Sequence, residues 1–274
     1  MYLRAISIVG LALLFAFLYQ TVFHPSNSSD LRESRFDFSG EYPLFDPEAA
    51  PAADRDQVMR GYNILIETKK YLPEYAGDRI SCNNCHFGAG NSFSGQRNGF
   101  SLVGVDHKFP TTLESGEEYT LADRINSCFY KSLNGKPLPV DHPDMQAMIA
   151  YIEWISHGIP QRTDYPWMGT KKLRTKHTPD PKNGALVYEQ KCALCHGQEG
   201  QGQERPYDLN YPPLWGAESF NDGAGMHHVD VFAYFVYENM PYNDPKLTME
   251  EALDVAAFVT SQDRPHFTPP DSSD

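Results

Sequence analysis

Cys82-Asn83-Asn84-Cys85-His86 and Cys192-Ala193-Leu194-Cys195-His196 are two copies of one pattern, C-x-x-C-H. Two thiols at that spacing can form thioethers to the two vinyl groups of one porphyrin, and the adjoining histidine reaches the iron from one side, so each copy reads as a haem c attachment site. A zinc or thioredoxin-like use of the cysteine pairs is disfavoured, because both copies carry the extra histidine. The reading predicts two covalently bound haem c groups, on Cys82 with Cys85 and on Cys192 with Cys195, and iron ligation by His86 and His196. Strand signals are sparse, so the fold expected is all-α: two cytochrome c-type haem domains in tandem, with long haem-wrapping loops.

The chain has five cysteines, and the two motifs leave Cys128 over. It lies in a stretch with the signals of a short helix: a capping pattern at Thr120 with Asp123, and a stop at Asn134-Gly135. Leu121, Ile125, Cys128 and Phe129 make one apolar stripe. Arg124 precedes Cys128 by four positions and Lys131 follows it by three, offsets that bring side chains together on one helix face. No carboxylate occurs between Arg124 and Lys136. Positive neighbours favour thiolate, the nucleophilic and metal-ligating form. The competing readings are a small buried hydrophobe and an intermolecular disulfide.

The 274 residues carry a formal net charge of −13, which argues against nucleic acid as a partner and requires any anion-binding site to be locally positive. One arginine precedes an apolar run from Ala5 to Phe23, near the ~20 residues of a spanning helix. No small-residue cleavage site follows it. The expectation is a periplasmic body tethered to the inner membrane through residues 1–23, the alternative being a cleaved signal and a soluble protein. Residues 24–54 are polar and acidic and read as a flexible tether. Domain 1 is expected over 55–165, a linker over 166–181, domain 2 over 182–268 and a tail over 269–274.

Helical periods are expected from about Asp56 to Tyr71, Asp144 to Ser156, Asn183 into the second motif and Asp222 to Glu238, with a last helix opening at the Thr248–Glu251 capping box. The halves repeat one plan. At nearly the same distance after each motif histidine stand Cys128 and Met240-Pro241. A thioether is a neutral iron ligand that raises haem potential, and Met240 suits that role, with Met226 as its competitor. The remaining histidines read as surface or structural residues.

These residues resemble a known family, the dihaem thiosulfate dehydrogenases, over roughly residues 55–265. The resemblance is carried by Tyr71-Leu72-Pro73 ahead of the first motif and by Asp123–Phe129 with Asn134-Gly135-Lys136. In the second half it is carried by Pro212–Gly216, Ser219–Met226 and Asn239-Met240-Pro241. It implies a periplasmic oxidoreductase that joins two thiosulfates into tetrathionate. His86 and Cys128 would be the axial ligands of a catalytic haem, and His196 and Met240 those of an electron-transfer haem. The Cys128 sulfur would leave iron to bond one thiosulfate, a second thiosulfate would resolve the adduct, and Arg124 would hold sulfonate oxygens. Two electrons would pass to an external cytochrome or similar periplasmic carrier. The chain departs from the family pattern at Glu114, where an arginine is typical. Lys108 or Arg97 then substitutes, with Lys131 as a further candidate, or the substrate differs. A lysine found before the methionine in some members is Asn239 here, which implies methionine ligation in both redox states. The rival functions are a dihaem electron carrier without substrate chemistry and a dihaem enzyme acting on another sulfur compound.

Overall fold

Gly61 and Gly184 decide how each half is assembled. The first lies in α1 (Arg55–Ile66), which packs on α4 (Pro143–Ile155), and the second in α5 (Pro181–Lys191), which packs on α8 (Met249–Thr260). A Cβ at Gly61 would overlap the carbonyl of Ala147 and crowd the Cβ of Tyr151. At Gly184 it would overlap the carbonyl of Asp254 and crowd the Cβ of Phe258. Each half thus closes by pressing its first helix against its last at a residue that has no side chain to hold them apart. The apolar faces complete the contact, with Val58, Ile64 and Leu65 of α1 and Met145, Met148 and Ile152 of α4 all buried.

This computed structural model describes residues 42–95, 97–162, 164–204 and 210–269. The expected membrane helix at 1–23, the start of the tether and nearly all of the tail lie outside the described residues. Among the described residues no helix is long and apolar enough to cross a membrane.

Between the crossing helices run α2 (Thr68–Tyr71), α3 (Leu121–Lys131), α6 (Ala193–His196) and α7 (Val229–Asn239). Local chemistry sets their ends. The Thr120 hydroxyl accepts from Asp123 N at 3.2 Å while the Asp123 carboxylate accepts from Thr120 N at 2.8 Å, a reciprocal cap on the Cys128 helix. Thr248 and Glu251 do the same for α8.

The helical expectation holds, and two of its helix bounds need correcting. Beside the helices, β1 (Thr111–Thr112) and β2 (Glu118–Tyr119) pair antiparallel as one short hairpin, with Thr111 opposite Tyr119. The helix expected to Tyr71 breaks at Glu67 into α1 and α2, and the one expected from Asp222 is a 3₁₀ turn at Gly225–His227 followed by α7. Within the segment read as a tether, Phe45 sets its ring edge-on to Trp154 and Ala50 is fully buried. The Trp154 indole also donates to the Asp46 carbonyl at 2.9 Å. Within the segment read as a linker, Trp167 is 3 % exposed and donates to the Val103 carbonyl at 3.0 Å. In both places single aromatic rings anchor an aperiodic segment, and period alone does not reveal them.

The two halves share an interface. Phe235 of α7 packs against Phe87 and Phe100, and the Asn221 amide donates to the Tyr130 carbonyl at 2.7 Å. Phe267 stacks on Tyr130 with centroids 5.8 Å apart.

Candidate functional site

Each half forms a large cavity that is partly open to solvent, with that open space counted in its volume. The first holds about 1470 Å³ of empty space and is walled by Cys82, His86, Lys108, Arg124, Cys128 and Met148 among others. The second holds about 1280 Å³ and is walled by Cys192, Cys195, His196, Met240, Leu247 and Val255 among others. Cys85, Ser132 and Met226 belong to both walls, so one layer of side chains separates the cavities. Gly225, Met226 and Val231, all from the second half, line the first cavity.

The motif histidines are held alike. His86 Nδ1 lies 2.8 Å from the Phe100 carbonyl, and His196 Nδ1 lies 3.0 Å from the Pro212 carbonyl. A carbonyl only accepts, so each Nδ1 carries the proton and each Nε2 keeps its lone pair, the arrangement that orients a histidine for a metal. Burial holds His86 down to about 4 and lowers His196 as well, so both rings are neutral. The sequence gives no sign of Phe100 or Pro212, since any residue type can offer a carbonyl.

Burial also sorts the thiols. It pushes Cys82 up to about 11 and Cys85 and Cys192 up to about 12, so these three stay protonated as free thiols. Cys128 differs in its partner: Arg124, one helical turn earlier, donates from Nη1 to Cys128 Sγ at 3.0 Å. The charge on Cys128 is the main cause that raises the Arg124 guanidinium above its ordinary value. Helical spacing brings the pair together, and the apolar stripe of α3 turns both toward the cavity.

Of the other cations read from the sequence, Lys108 is on the wall of the first cavity, with its ammonium 6.0 Å from the Tyr165 ring centroid. Lys131 is not. Its ammonium sits over Phe267 at 5.2 Å and Tyr130 at 5.9 Å. Arg97 is exposed in a left-handed turn at φ 64°, away from the wall. Glu114 is exposed in the β1–β2 turn and also off the wall. Among the described residues, then, the first cavity is lined by two cations and no carboxylate.

The donors fit a group that brings its own anions. Arg264 Nε and His227 Nδ1 are buried without a partner among the described residues. The other Arg264 nitrogens donate to the carbonyls of Leu214 at 3.3 Å and Val259 at 2.6 Å, and both of these residues wall the second cavity. The guanidinium lies 4.4 Å over the ring of Phe220, another wall residue. Burial lowers Arg264 to about 10. A buried, under-compensated cation with a free N–H beside a large apolar cavity suits the carboxylates of a porphyrin.

Comparison with known proteins identifies the family. A family model described as "SoxA/TsdA, cytochrome c domain" matches residues 73–161, and one described as "Cytochrome C oxidase, cbb3-type, subunit III" matches residues 179–259. The thiosulfate dehydrogenase of Allochromatium vinosum is 37 % identical over 218 residues, covering 78 % of this chain and 81 % of its own. The chain belongs to the thiosulfate dehydrogenase family. The thiosulfate dehydrogenase of Stutzerimonas stutzeri is 35 % identical over 76 % of this chain and 67 % of its own. The solved structure of thiosulfate dehydrogenase (TsdBA) from Marichromatium purpuratum, in its "as isolated" form, matches with a TM-score of 0.77 and 29 % identity. That match covers 86 % of this chain and 52 % of the other, so this chain spans about half the length of that one. As a family member the protein is an oxidoreductase with two cytochrome c domains in tandem and two covalently bound haem c groups.

Proposed function

We propose that this protein joins two thiosulfates oxidatively into tetrathionate in the first cavity. In this reading His86 and Cys128 would hold the iron of one haem, and His196 and Met240 that of the other. Cys82 with Cys85 and Cys192 with Cys195 carry the thioether links. When bound, the haems would supply the oxidant for the two electrons released and a route for them to an external cytochrome-type carrier.

The chain's own residues supply the sulfur chemistry. The Cys128 thiolate and the terminal sulfur of one thiosulfate join in an S–S bond as two electrons leave, giving a Cys128 adduct that ends in a sulfonate. A second thiosulfate attacks the sulfur attached to Cys128, forms the central S–S bond of tetrathionate, and releases Cys128 as thiolate. Charge balances at −3 in each step, and no proton is consumed. Arg124 donates to the Cys128 sulfur and offers its remaining N–H groups to sulfonate oxygens. Lys108 adds a second positive charge, which offsets the repulsion between a dianion and an acidic protein. With Lys108 present and Glu114 off the wall, the family's usual arginine is not required for a positive site. Haem c attachment and the apolar N-terminal run favour a periplasmic location.

The observation that carries this reading is the 3.0 Å contact between Arg124 and Cys128 in a cavity that also contains His86. It is tested by electron paramagnetic resonance of the oxidised holoprotein, with and without Cys128→Ala, alongside an assay of tetrathionate formation. Loss of a low-spin thiolate signal together with loss of product is expected. An unchanged spectrum with product still formed would overturn the proposal.

A further inference from the structure

Asn239, the last residue of α7, is 2 % exposed and belongs to the second half, yet its side chain is committed across the interface. Its Oδ1 accepts from the backbone N–H of Gly99 at 2.9 Å, while its Nδ2 donates to the Phe235 carbonyl at 2.9 Å. Both ends of the amide are therefore fixed, one by each half. Gly99 has no slack to give. It sits at φ +63°, and a Cβ there would crowd the Cys85 carbonyl and the Phe87 amide. The next residue, Phe100, donates its amide to the Cys85 carbonyl at 2.9 Å and accepts from His86 Nδ1 at 2.8 Å.

Asn239 thus touches the residue beside the carbonyl that aims His86, and it is itself the residue before Met240. Other contacts run alongside. The Glu238 carbonyl accepts from Arg97 N at 3.3 Å, and Phe235 packs on the rings of Phe87 and Phe100. These are made by backbone atoms or by other side chains, so a substitution at 239 leaves them standing. The directed polar link to Gly99 is what it would remove.

We infer that Asn239 is a positioning residue shared by the two haem sites, setting the ring plane of His86 through Gly99-Phe100 and the approach of Met240 at the same time. The inference rests on the reading of His86 and Met240 as iron ligands. Its consequence is that the two centres are tuned jointly, because a metal-ligating histidine turns with the acceptor of its second nitrogen, and that acceptor is held from the other half.

The test uses the oxidised holoprotein and the haem-methyl resonances of each haem in paramagnetic nuclear magnetic resonance, which respond to the planes of the axial ligands. Asn239→Leu removes both hydrogen bonds, whereas Asn239→Asp keeps an acceptor for the Gly99 amide and loses the donor to Phe235. The expected result is a shift of both sets of resonances in the Leu variant, with Asp returning the first-haem set toward wild type. If the Leu variant does not load haem, Asn239→Ala takes its place with the same expectation. A variant lacking the acceptor that moves only the second-haem resonances, or neither set, overturns the inference, because a purely local role at the end of α7 predicts that pattern. Ligation itself is read separately. Met240→Leu must abolish the methionine signature of the second haem, and His86→Ala must abolish the native low-spin signal of the first. If those signatures persist, the ligand reading fails and the inference falls with it; if they vanish while the acceptor-less variants leave the first haem unmoved, the inference alone fails.

Discussion

Both halves cross their first and last helices at a glycine, and both hold a motif histidine by Nδ1 on a loop carbonyl. The wall around those shared parts differs. The first cavity has Cys128 beside Arg124, with Lys108 nearby, where the second has Met240 with Tyr242 and Leu247. A thiolate against a guanidinium is charged, nucleophilic and open to an anion. A thioether among apolar side chains is neutral and offers a substrate nothing to react with. In the proposed reading one scaffold houses a reactive sulfur and an inert one, and the identity of a single donor with its cationic neighbour would separate chemistry from conduction.

The comparison is broken most directly by Cys128→Met, which gives the first half the donor of the second. Tetrathionate formation should fall by at least about 10³-fold, some 4 kcal/mol of barrier, and the midpoint potential of the first haem should rise. Steady-state assay and a spectroelectrochemical titration read the two effects. Retained turnover would mean that the sulfur type is not what divides the halves. Arg124→Met leaves the thiol but removes its cation, and should cost about 10²-fold, the scale of one oriented charge stabiliser, with partial recovery in Arg124→Lys. Kinetics at low and high thiosulfate check it, since a loss confined to substrate binding would show in KM alone.

A smaller contrast lies in two buried carboxyl groups. Asp254, 1 % exposed, accepts from His177, Asp180 and Asn183 at 2.6–2.7 Å. Burial opposes its charge, but these bonds together hold it below the ordinary carboxylate range. Asp78, 2 % exposed, has one oxygen on the Ile80 amide and the other without a partner among the described residues, and burial pushes it up to about 7. Folded Asp78 therefore keeps a proton that the unfolded chain releases, and it costs stability increasingly as pH rises from its ordinary 3.8 to about 7. Asp254 has the opposite sign, contributing stability above the ordinary carboxylate value and losing it as pH falls through its depressed one. Thermal unfolding of the holoprotein should show Asp78→Asn gaining on wild type between pH 4 and pH 7 and holding that gain above. Asp254→Asn should be destabilised by about 1.5–3 kcal/mol at neutral pH. A pH-independent Asp78→Asn difference would show that its carboxyl is not the strained one.

The features legible in the sequence were the local ones. The attachment motifs, the Thr120 and Thr248 caps, the amphipathic stripes and the pairing of Arg124 with Cys128 all act within about one or two helical turns. Choosing among cations was harder, because helical spacing puts both Arg124 and Lys131 near Cys128. What draws Lys131 aside is Phe267, a residue more than a hundred positions later. Lys108 reaches the wall through a loop whose path depends on packing around Tyr165. The carbonyls of Phe100 and Pro212 carry no side-chain signal, and the aromatics at Phe45 and Trp167 belong to no period. Asp78 could not be told from a surface aspartate until the loop closed over it.

Gly225, Met226 and Val231 come from the second half and yet finish the wall of the first cavity. A chain cut between the helix pairs would leave its reactive pocket gaping toward water. Chimeras that graft a foreign C-terminal portion onto this N-terminal one would inherit a misfitted pocket floor unless those three positions travelled with the graft. Under the proposed division of labour, the half read as the electron carrier is also masonry for the pocket read as the reactive one.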